Sequence, residues 1–386
     1  MVSCTFSCLS VSAERARCSV RITHLELSDF RNYGSFRVEP ERALTVFVGP
    51  NATGKTNIVE SLELITTGRS FRNPHWPEVV RWGAERARVS MRAEGANSAA
   101  DVELTIESSG SRTWRSAGSV KKKTVDATRF VPAVVFTPED LTLVKGPAER
   151  RRSALDLLGD QLSVSYGTLR REYARVIRQR NAALKEGADD ASLEAWSDQL
   201  VTLGSKLYAH RRRLARRIME AAVDVYGRLA EGERLDMQVC DRCGVGQRPL
   251  DEEVSVEEIA EGLRAEISRR HHEERARGAS LVGPHRDDIT FRIEGHDARA
   301  FASQGQQRTV ALAWKWAEVT VVREVVRKAP ILLLDDVMSE LDATRRAALT
   351  ELMQQDIQTF ITTTNTGYFD PALLKSALIV PVGGER

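Results

Sequence analysis

Eight residues near the start of the chain have the types and spacing needed to hold phosphate. Gly49, Pro50, Asn51, Ala52, Thr53, Gly54, Lys55 and Thr56 fit the pattern G-x-x-x-x-G-K-[ST]. Glycines let successive backbone N–H groups curl around an anion, and the helix that follows turns its positive end toward the same charge. In such a loop Lys55 reaches the β- and γ-phosphates of a nucleotide, and Thr56 offers its hydroxyl to Mg2+. Far along the chain, Asp335 and Asp336 close the apolar run "ILLL". Open α/β sheets place ligands at the carboxyl ends of their strands. Asp335 is therefore expected to hold Mg2+ through water, and Asp336 to polarise the attacking water. A second anion site is expected at Ser303-Gln304-Gly305-Gln306, a polar turn that opens a long helical stretch; an ordinary helix cap would read the same way.

These residues need particular elements beneath them. Leu44, Val46, Phe47 and Val48 read as a buried strand leading into the loop, and Ile58, Leu62 and Ile65 share one face of the helix leaving it. Ile331 to Leu334 form the unbroken apolar run of a parallel strand buried on both faces. Short alternating strands fill residues 21 to 50. "VSMRAEGANSAADVELTIESSGSRTWR" predicts antiparallel sheet, and Val134 to Phe136 a buried strand closed by Pro138. From about 139 to 275 the pattern is helical, with Leu155, Leu158 and Leu162, then Leu200, Leu203, Leu207, Leu214 and Ile218, at helical spacing. An α/β texture returns at 281. The expected organisation is an unpatterned leader over 1–20, an α/β part over 21–138, an all-α insertion over 139–280 and a second α/β part over 281–386.

Composition narrows the class. With 42% hydrophobic and 28% charged residues among 386 and a net charge of +2, the chain reads as globular, and charge alone does not announce nucleic acid. No stretch approaches the roughly 20 apolar residues of a membrane span, so no membrane partner is expected and a cytoplasmic location is. Five cysteines, three of them at positions 4, 8 and 18, suit a reducing compartment. Cys240 and Cys243 form a lone C-x-x-C without the second pair a structural zinc site needs. The helical region concentrates arginine: Arg170, Arg171, Arg175, Arg178 and Arg180, then Arg211, Arg212, Arg213, Arg216 and Arg217. Several lie at helical spacing, giving stripes that are either solvated faces or nucleic-acid contacts. Arg171, Arg175, Arg178, Arg212 and Arg216 are taken as the candidate DNA contacts.

One nucleotide does not need two anion sites. Two copies set head to tail would let the Ser303 turn of each close on the γ-phosphate held by the other, which is how ATP-binding-cassette enzymes work. The segment "SELD" at 339–342 fits their dimer seam. The stretches "LELSDFRNYGSF", "GPNATGKTNIVESL", "GRSFR", "FTPEDLTLVKGPAERRR", "LVGPHRDD", "FASQGQQRTVALA" and "LLLDDVMSELD" run in order over about 25 to 342. In this the chain resembles the RecF family of bacterial recombination and repair ATPases, in the SMC-type cassette group. The resemblance implies a cassette-type P-loop ATPase head of mixed sheets with an inserted helical arm domain. It implies ATP and Mg2+ as cofactors, an ATP-dependent homodimer, and weak DNA-stimulated hydrolysis. It further implies binding at single-strand/double-strand DNA junctions and recombinase loading with RecR- and RecO-like mediators.

By the same resemblance Lys55, Thr56, Asp335, Asp336, Ser303 and Gly305 carry the nucleotide chemistry, and Arg69 and Arg72 fall where related enzymes place arginines near phosphate or DNA. Three departures stand out. Ala52 occupies a position where the family has Gly, a cost of about 1 kcal/mol or more if φ there is positive. "FTPEDL" lacks a Mg2+-contacting Gln, leaving Glu139 or Asp140. No His follows "TFITTTN", leaving Thr363 or Thr364 for the γ-phosphate. A cassette motor of a nuclease or phage-defence system is the alternative; it would normally bring a nuclease or metal-rich segment.

Overall fold

A computed structural model describes residues 20–95, 98–116, 119–121, 131–230, 232–246 and 248–383. The chain divides into two compact units, one holding residues up to Asp140 together with Val322 onward, the other Leu141–Val321.

The first unit carries two sheets. Strands Arg21–Phe30 (β1), Tyr33–Val38 (β2), Arg86–Gly95 (β4), Ser98–Glu107 (β5), Arg112–Ser116 (β6) and Ser119–Lys121 (β7) form an antiparallel sheet in the order β2-β1-β4-β5-β6-β7. Alternation along β4 shows why: Ala87, Val89, Met91 and Ala93 are buried, while Arg86, Arg88 and Arg92 face water. The second sheet is parallel, in the order β14-β3-β13-β12-β8, from Leu44–Val48 (β3), Ala133–Phe136 (β8), Ile331–Asp335 (β12), Thr359–Thr363 (β13) and Leu378–Pro381 (β14). All five residues of β12 and of β13 are buried, as strands covered on both faces require. Helix Lys55–Thr67 (α1) supplies Ile58, Leu62 and Ile65 to a core shared with Leu27, Leu333 and Phe360.

The second unit is built on helices Ala148–Leu162 (α2), Val164–Lys185 (α3), Asp190–Leu229 (α4) and Val256–Arg277 (α5). Ser163, Asp189 and Ser255 cap α3, α4 and α5 with their side chains. At 40 residues, α4 is about 60 Å long by its 1.5 Å rise per residue. Strands Leu235–Cys240 (β9), Asp288–Ile293 (β10) and His296–Asp297 (β11) make a small antiparallel sheet in the order β11-β10-β9. The short helix Ala298–Phe301 (α6) then leads to Gln304–Val326 (α7), which crosses the division between units. The first unit continues with helices Ala343–Met353 (α8) and Pro371–Ser376 (α9).

Two expectations need correcting. The region 139–280 is not all-α: Leu235 and Met237 alternate inward on β9 and pair with Ile293 and Phe291. Six residues of period-two pattern are easily lost between long helices. The returning α/β texture at 281 also belongs to the second unit as far as Val321, because β10 completes the sheet that β9 begins. Of the leader, residues 1–19 lie outside the described residues, whereas Val20 is buried in the first unit's core. Among the described residues, no helix is long and apolar enough to cross a membrane.

Candidate nucleotide site

Strand β3 runs straight into the loop Gly49–Gly54, and α1 begins at Lys55. Gly54 caps α1 with φ 105 and no side-chain hydrogen bond, and Asn57 N donates to Gly54 O at 2.9 Å. A Cβ at Gly54 would stand 2.5 Å from Asn32 Nδ2, and the left-handed φ excludes it independently. Ala52 adopts φ 63, meeting the condition under which an alanine there is strained by about 1–2 kcal/mol. The loop is tied down: Thr53 Oγ1 donates to Pro50 O at 2.9 Å, and Asn32 Nδ2 donates to Thr53 O at 3.1 Å. Lys55 Nζ rests on Gly49 O and Pro50 O at 2.8 and 2.7 Å. Burial pulls its ammonium below the ordinary value, and Asp336 and Asp335 oppose that pull.

The two acids are joined by one hydroxyl. Thr362 on β13 stands opposite Asp335 in the parallel register. Its Oγ1 donates to Asp335 Oδ1 at 2.8 Å and accepts from Asp336 N at 2.9 Å. Asp335 is buried, which raises its pKa, while hydrogen bonds from Thr362 and Thr56 hold it down. Thr56 and Asp335 therefore face one another and could share one cation. Asp336 turns out of the strand with φ 51 and begins a short 3-10 turn. Its Oδ1 is buried and, among the described residues, has no hydrogen-bond partner. Burial raises its pKa, opposed by Lys55. An orphaned carboxylate oxygen beside a buried ammonium is suited to a ligand that brings its own donor, such as a water aimed at a phosphate.

The substitutes for the missing Gln and His are less apt. Asp140 Oδ2 accepts from Thr137 N at 2.8 Å and from Thr137 Oγ1 at 3.2 Å, so this carboxylate caps its own turn, while Glu139 is exposed. Thr363 Oγ1 donates to Asn365 O at 2.9 Å, while Thr364 is exposed.

In the second unit, Ser303 is exposed at the start of α7. Gln306 N donates to Ser303 Oγ at 3.2 Å and Ser303 N to Gln306 Oε1 at 2.9 Å, a reciprocal capping box. Gln306 Nε2 also reaches both Glu233 oxygens at 3.1–3.2 Å. Gly305 falls in the first turn. Cap and phosphate contact are compatible, because the turn's N–H groups face outward at a helix N-terminus.

The RecF/RecN/SMC N terminal domain model matches residues 21–380. The DNA replication and repair protein RecF of Synechococcus sp. (strain JA-2-3B'a(2-13)) is 40% identical over 368 residues, covering 94% of this chain and 96% of that protein. The chain belongs to the RecF family. Among solved structures, that of the recombination mediator protein RecF-ATP in the RecFOR pathway matches with TM-score 0.84 and 27% identity, over 92% of this chain and 95% of that one. An SMC head bound to the C-winged helix domain of ScpA matches at TM-score 0.54 and 14% identity, over 93% of each chain, which marks a shared head fold. The α/β cassette head with its inserted arm is thus the RecF fold.

The RecF arm uses several of its arginines internally. Arg212 is buried, and its guanidinium donates to the carbonyls of Arg248, Pro249 and Glu252. It is a strut rather than a DNA contact, which corrects the sequence-based assignment. Arg216 is half-buried, 3.8 Å from Glu220. Arg171, Arg175 and Arg178 remain exposed on one side of α3. The "GPHRDD" stretch is likewise structural. His285 Nδ1 and Tyr173 Oη lie 2.7 Å apart, and Arg151 grips both oxygens of Asp288 at 2.7 and 3.0 Å. A Cβ on Gly283, where φ is 121, would meet Tyr173 Oη at 2.5 Å. Burial pushes His285 down to about 4, so it packs as a neutral ring. Asp241, Cys243 and Asp287 bring ligand atoms within 4.8 Å of one another. Asp241 already accepts from the N–H groups of Cys243, Val245 and Gly246, and burial raises the Asp287 carboxyl to about 7, opposed by Arg211 and Arg152, with its Oδ2 unpartnered among the described residues.

Sequence reasoning missed Glu60. It is fully buried on α1 and accepts from Arg31 Nε and Nη2 at 3.0 and 2.7 Å and from Ser70 Oγ at 2.6 Å. The available signal was an acid inside the apolar face "IVESLELI", since a carboxylate there needs partners.

Proposed function

We propose that this RecF-family chain is an ATP-dependent DNA-binding protein of recombinational repair and replication-fork maintenance, acting in the cytoplasm. The observation that carries the reading is the linked set Lys55, Thr56, Asp335, Thr362 and Asp336, in which an orphaned carboxylate oxygen stands beside the phosphate loop. The backbone of Gly49–Thr56 and Lys55 would hold the polyphosphate, with Thr56 and Asp335 as ligands of Mg2+, which neutralises phosphate charge when bound. Asp336 would accept the proton of the attacking water. Nearly all of the rate would come from positioning and electrostatics, as in other phosphoryl transfers.

ATP would also join two copies, with Ser303, Gly305 and Gln306 of each closing on the γ-phosphate of the other. Joined copies would bring two sets of Arg171, Arg175 and Arg178, together with Arg216, onto DNA at a single-strand/double-strand junction. Slow hydrolysis would then release it. The RecFOR context of the similar solved structure supports RecO- and RecR-like partners.

Ser303→Arg tests the link. It places a long cation at an exposed turn, leaving nucleotide binding by the monomer intact but blocking closure. With ATP, the parent should sediment as a dimer and bind gapped DNA with a steep salt dependence, each neutralised phosphate adding about 0.9 to the log–log slope. The variant should remain monomeric and show about half that slope. A variant that still dimerises, or a nucleotide-free monomer that binds DNA as well as the parent does with ATP, would overturn the reading.

A further inference from the structure

The buried acid on the phosphate-loop helix has no place in the reaction drawn above, yet it is one of the most heavily engaged side chains in the first unit. Glu60 is fully buried, and four donors meet its two oxygens: two from Arg31, one from Ser70 and one from Arg72, whose Nη1 lies 3.4 Å from Oε2. Two guanidinium groups thus share one carboxylate, leaving a surplus positive charge. Arg31 is the inner partner, only 16% exposed, bidentate on Glu60 and further fixed by donating to Glu78 O at 3.0 Å. Arg72 is the outer one, 40% exposed and held by a single long bond to Glu60 and a short one, 2.7 Å, to Asn57 Oδ1. The surplus charge therefore resides on Arg72.

Its position is set by residues that touch the phosphate loop. Asn57 follows Thr56 directly. Its Nδ2 donates to Asn32 Oδ1 at 2.7 Å, and Asn32 in turn donates to Thr53 O in the loop. A continuous hydrogen-bonded chain runs from Glu60 through Arg72, Asn57 and Asn32 to the loop backbone. Arg72 also acts on the other side of the pocket, where its charge helps keep Asp335 ionised. A half-exposed guanidinium between the phosphate loop and the Mg2+-ligating acid has an obvious counter-ion in a triphosphate.

We propose that Glu60 is a positioning residue for ATP turnover: its buried carboxylate, occupied on one side by Arg31, fixes Arg72 at the mouth of the phosphate loop, where Arg72 meets the polyphosphate. Arg31 takes the bidentate site, so Arg72 is aligned without being neutralised. The proposal rests on the nucleotide-hydrolysing reading of the same pocket.

A double-mutant cycle on the full chain tests it. Arg72→Gln should lower kcat/KM for ATP by about tenfold or more, and Glu60→Gln by a similar factor, because the amide offers one acceptor where the carboxylate offered two. Combined, they should cost no more than about twofold beyond either alone, since both remove the same aligned guanidinium. A purely structural Glu60 would lower the melting temperature yet leave kcat/KM per folded molecule unchanged, and that result overturns the proposal, as do two effects that multiply. If Glu60→Gln does not fold, Asn57→Ala releases Arg72 from the other side. It should cost about threefold alone and nothing further in the Arg72→Gln background; independent effects again overturn the proposal. Should the parent turn over no ATP, the functional reading fails. ATP affinity across the same variants, by displacement of a fluorescent nucleotide, then decides on Arg72 separately.

Discussion

The phosphate pocket of the first unit and the interior of the second are both built from buried charge, and they treat it differently. In the arm, the buried guanidinium groups of Arg180 and Arg151 are met within the fold, and Arg212 is met at all but its Nε. Arg180 donates to Glu274 at 2.6 Å and to Ser280 and Ser197 at 2.8 and 3.1 Å. Arg151 spends its donors on Asp288 and on the carbonyls of Leu143, Val144 and Gly146. In the pocket, Asp336 keeps a buried oxygen without a partner, Lys55 rests on loop carbonyls, and Ala52 holds a left-handed backbone. The arm answers most of this buried charge with its own carboxylates and carbonyls, although Arg212 Nε and Asp287 Oδ2 stay without a partner among the described residues, while the pocket's unpartnered oxygen stands beside a phosphate loop. Density of charge in a sequence is thus a poor guide to function, and unmet hydrogen-bonding capacity guides better only where it adjoins a loop built to hold a ligand.

Four variants would break or sharpen that contrast. The largest effect is expected from Arg180→Ala, which leaves Glu274 buried without its partner and should cost about 3–5 kcal/mol in chemical denaturation. Arg175→Ala, on the exposed stripe, should stay within about 0.5 kcal/mol. Equal costs for the two would mean that the arm's arginines are not divided into struts and free surface.

Asp336→Asn should come next. The amide cannot take a proton from water, so hydrolysis should fall by about a hundredfold or more, while ATP affinity changes little. The pH profile gives the sign. Burial raises the Asp336 carboxyl above its ordinary 3.8, and only the ionised form is a base. Parent turnover should therefore fall on acidification with a midpoint above 3.8, and the variant should lose that limb of the profile. Parent-level turnover in the variant would remove Asp336 from the reaction.

The smallest effect belongs to Ala52→Gly. Glycine accepts φ 63 without the Cβ clash, recovering about 1 kcal/mol and tightening ATP binding by about fivefold. Weaker binding would show that Ala52 is preferred for its stiffness.

Much of this molecule was legible in its residues because the deciding interactions are local. A phosphate loop needs glycine torsions, one lysine and one hydroxyl within eight positions, and a helix start just after them. The parallel strands announce themselves as unbroken apolar runs, since both faces are covered. The family motifs added the order of the parts. What stayed hidden was partnership across long separations. Arg212 and Arg178 look alike in a helical stripe, and only the carbonyls of Arg248, Pro249 and Glu252 make the first a strut. β9 was invisible because its alternation gains meaning only beside β10, about fifty positions away. Glu60 went unnoticed because Arg31 and Arg72 close on it from two other segments. The sequence by itself determined which residues could do chemistry, because reactivity and torsional preference belong to single residues and their neighbours. Which charges remain available to a ligand was decided by the tertiary structure alone, because burial and hydrogen-bond satisfaction arise only when distant segments meet.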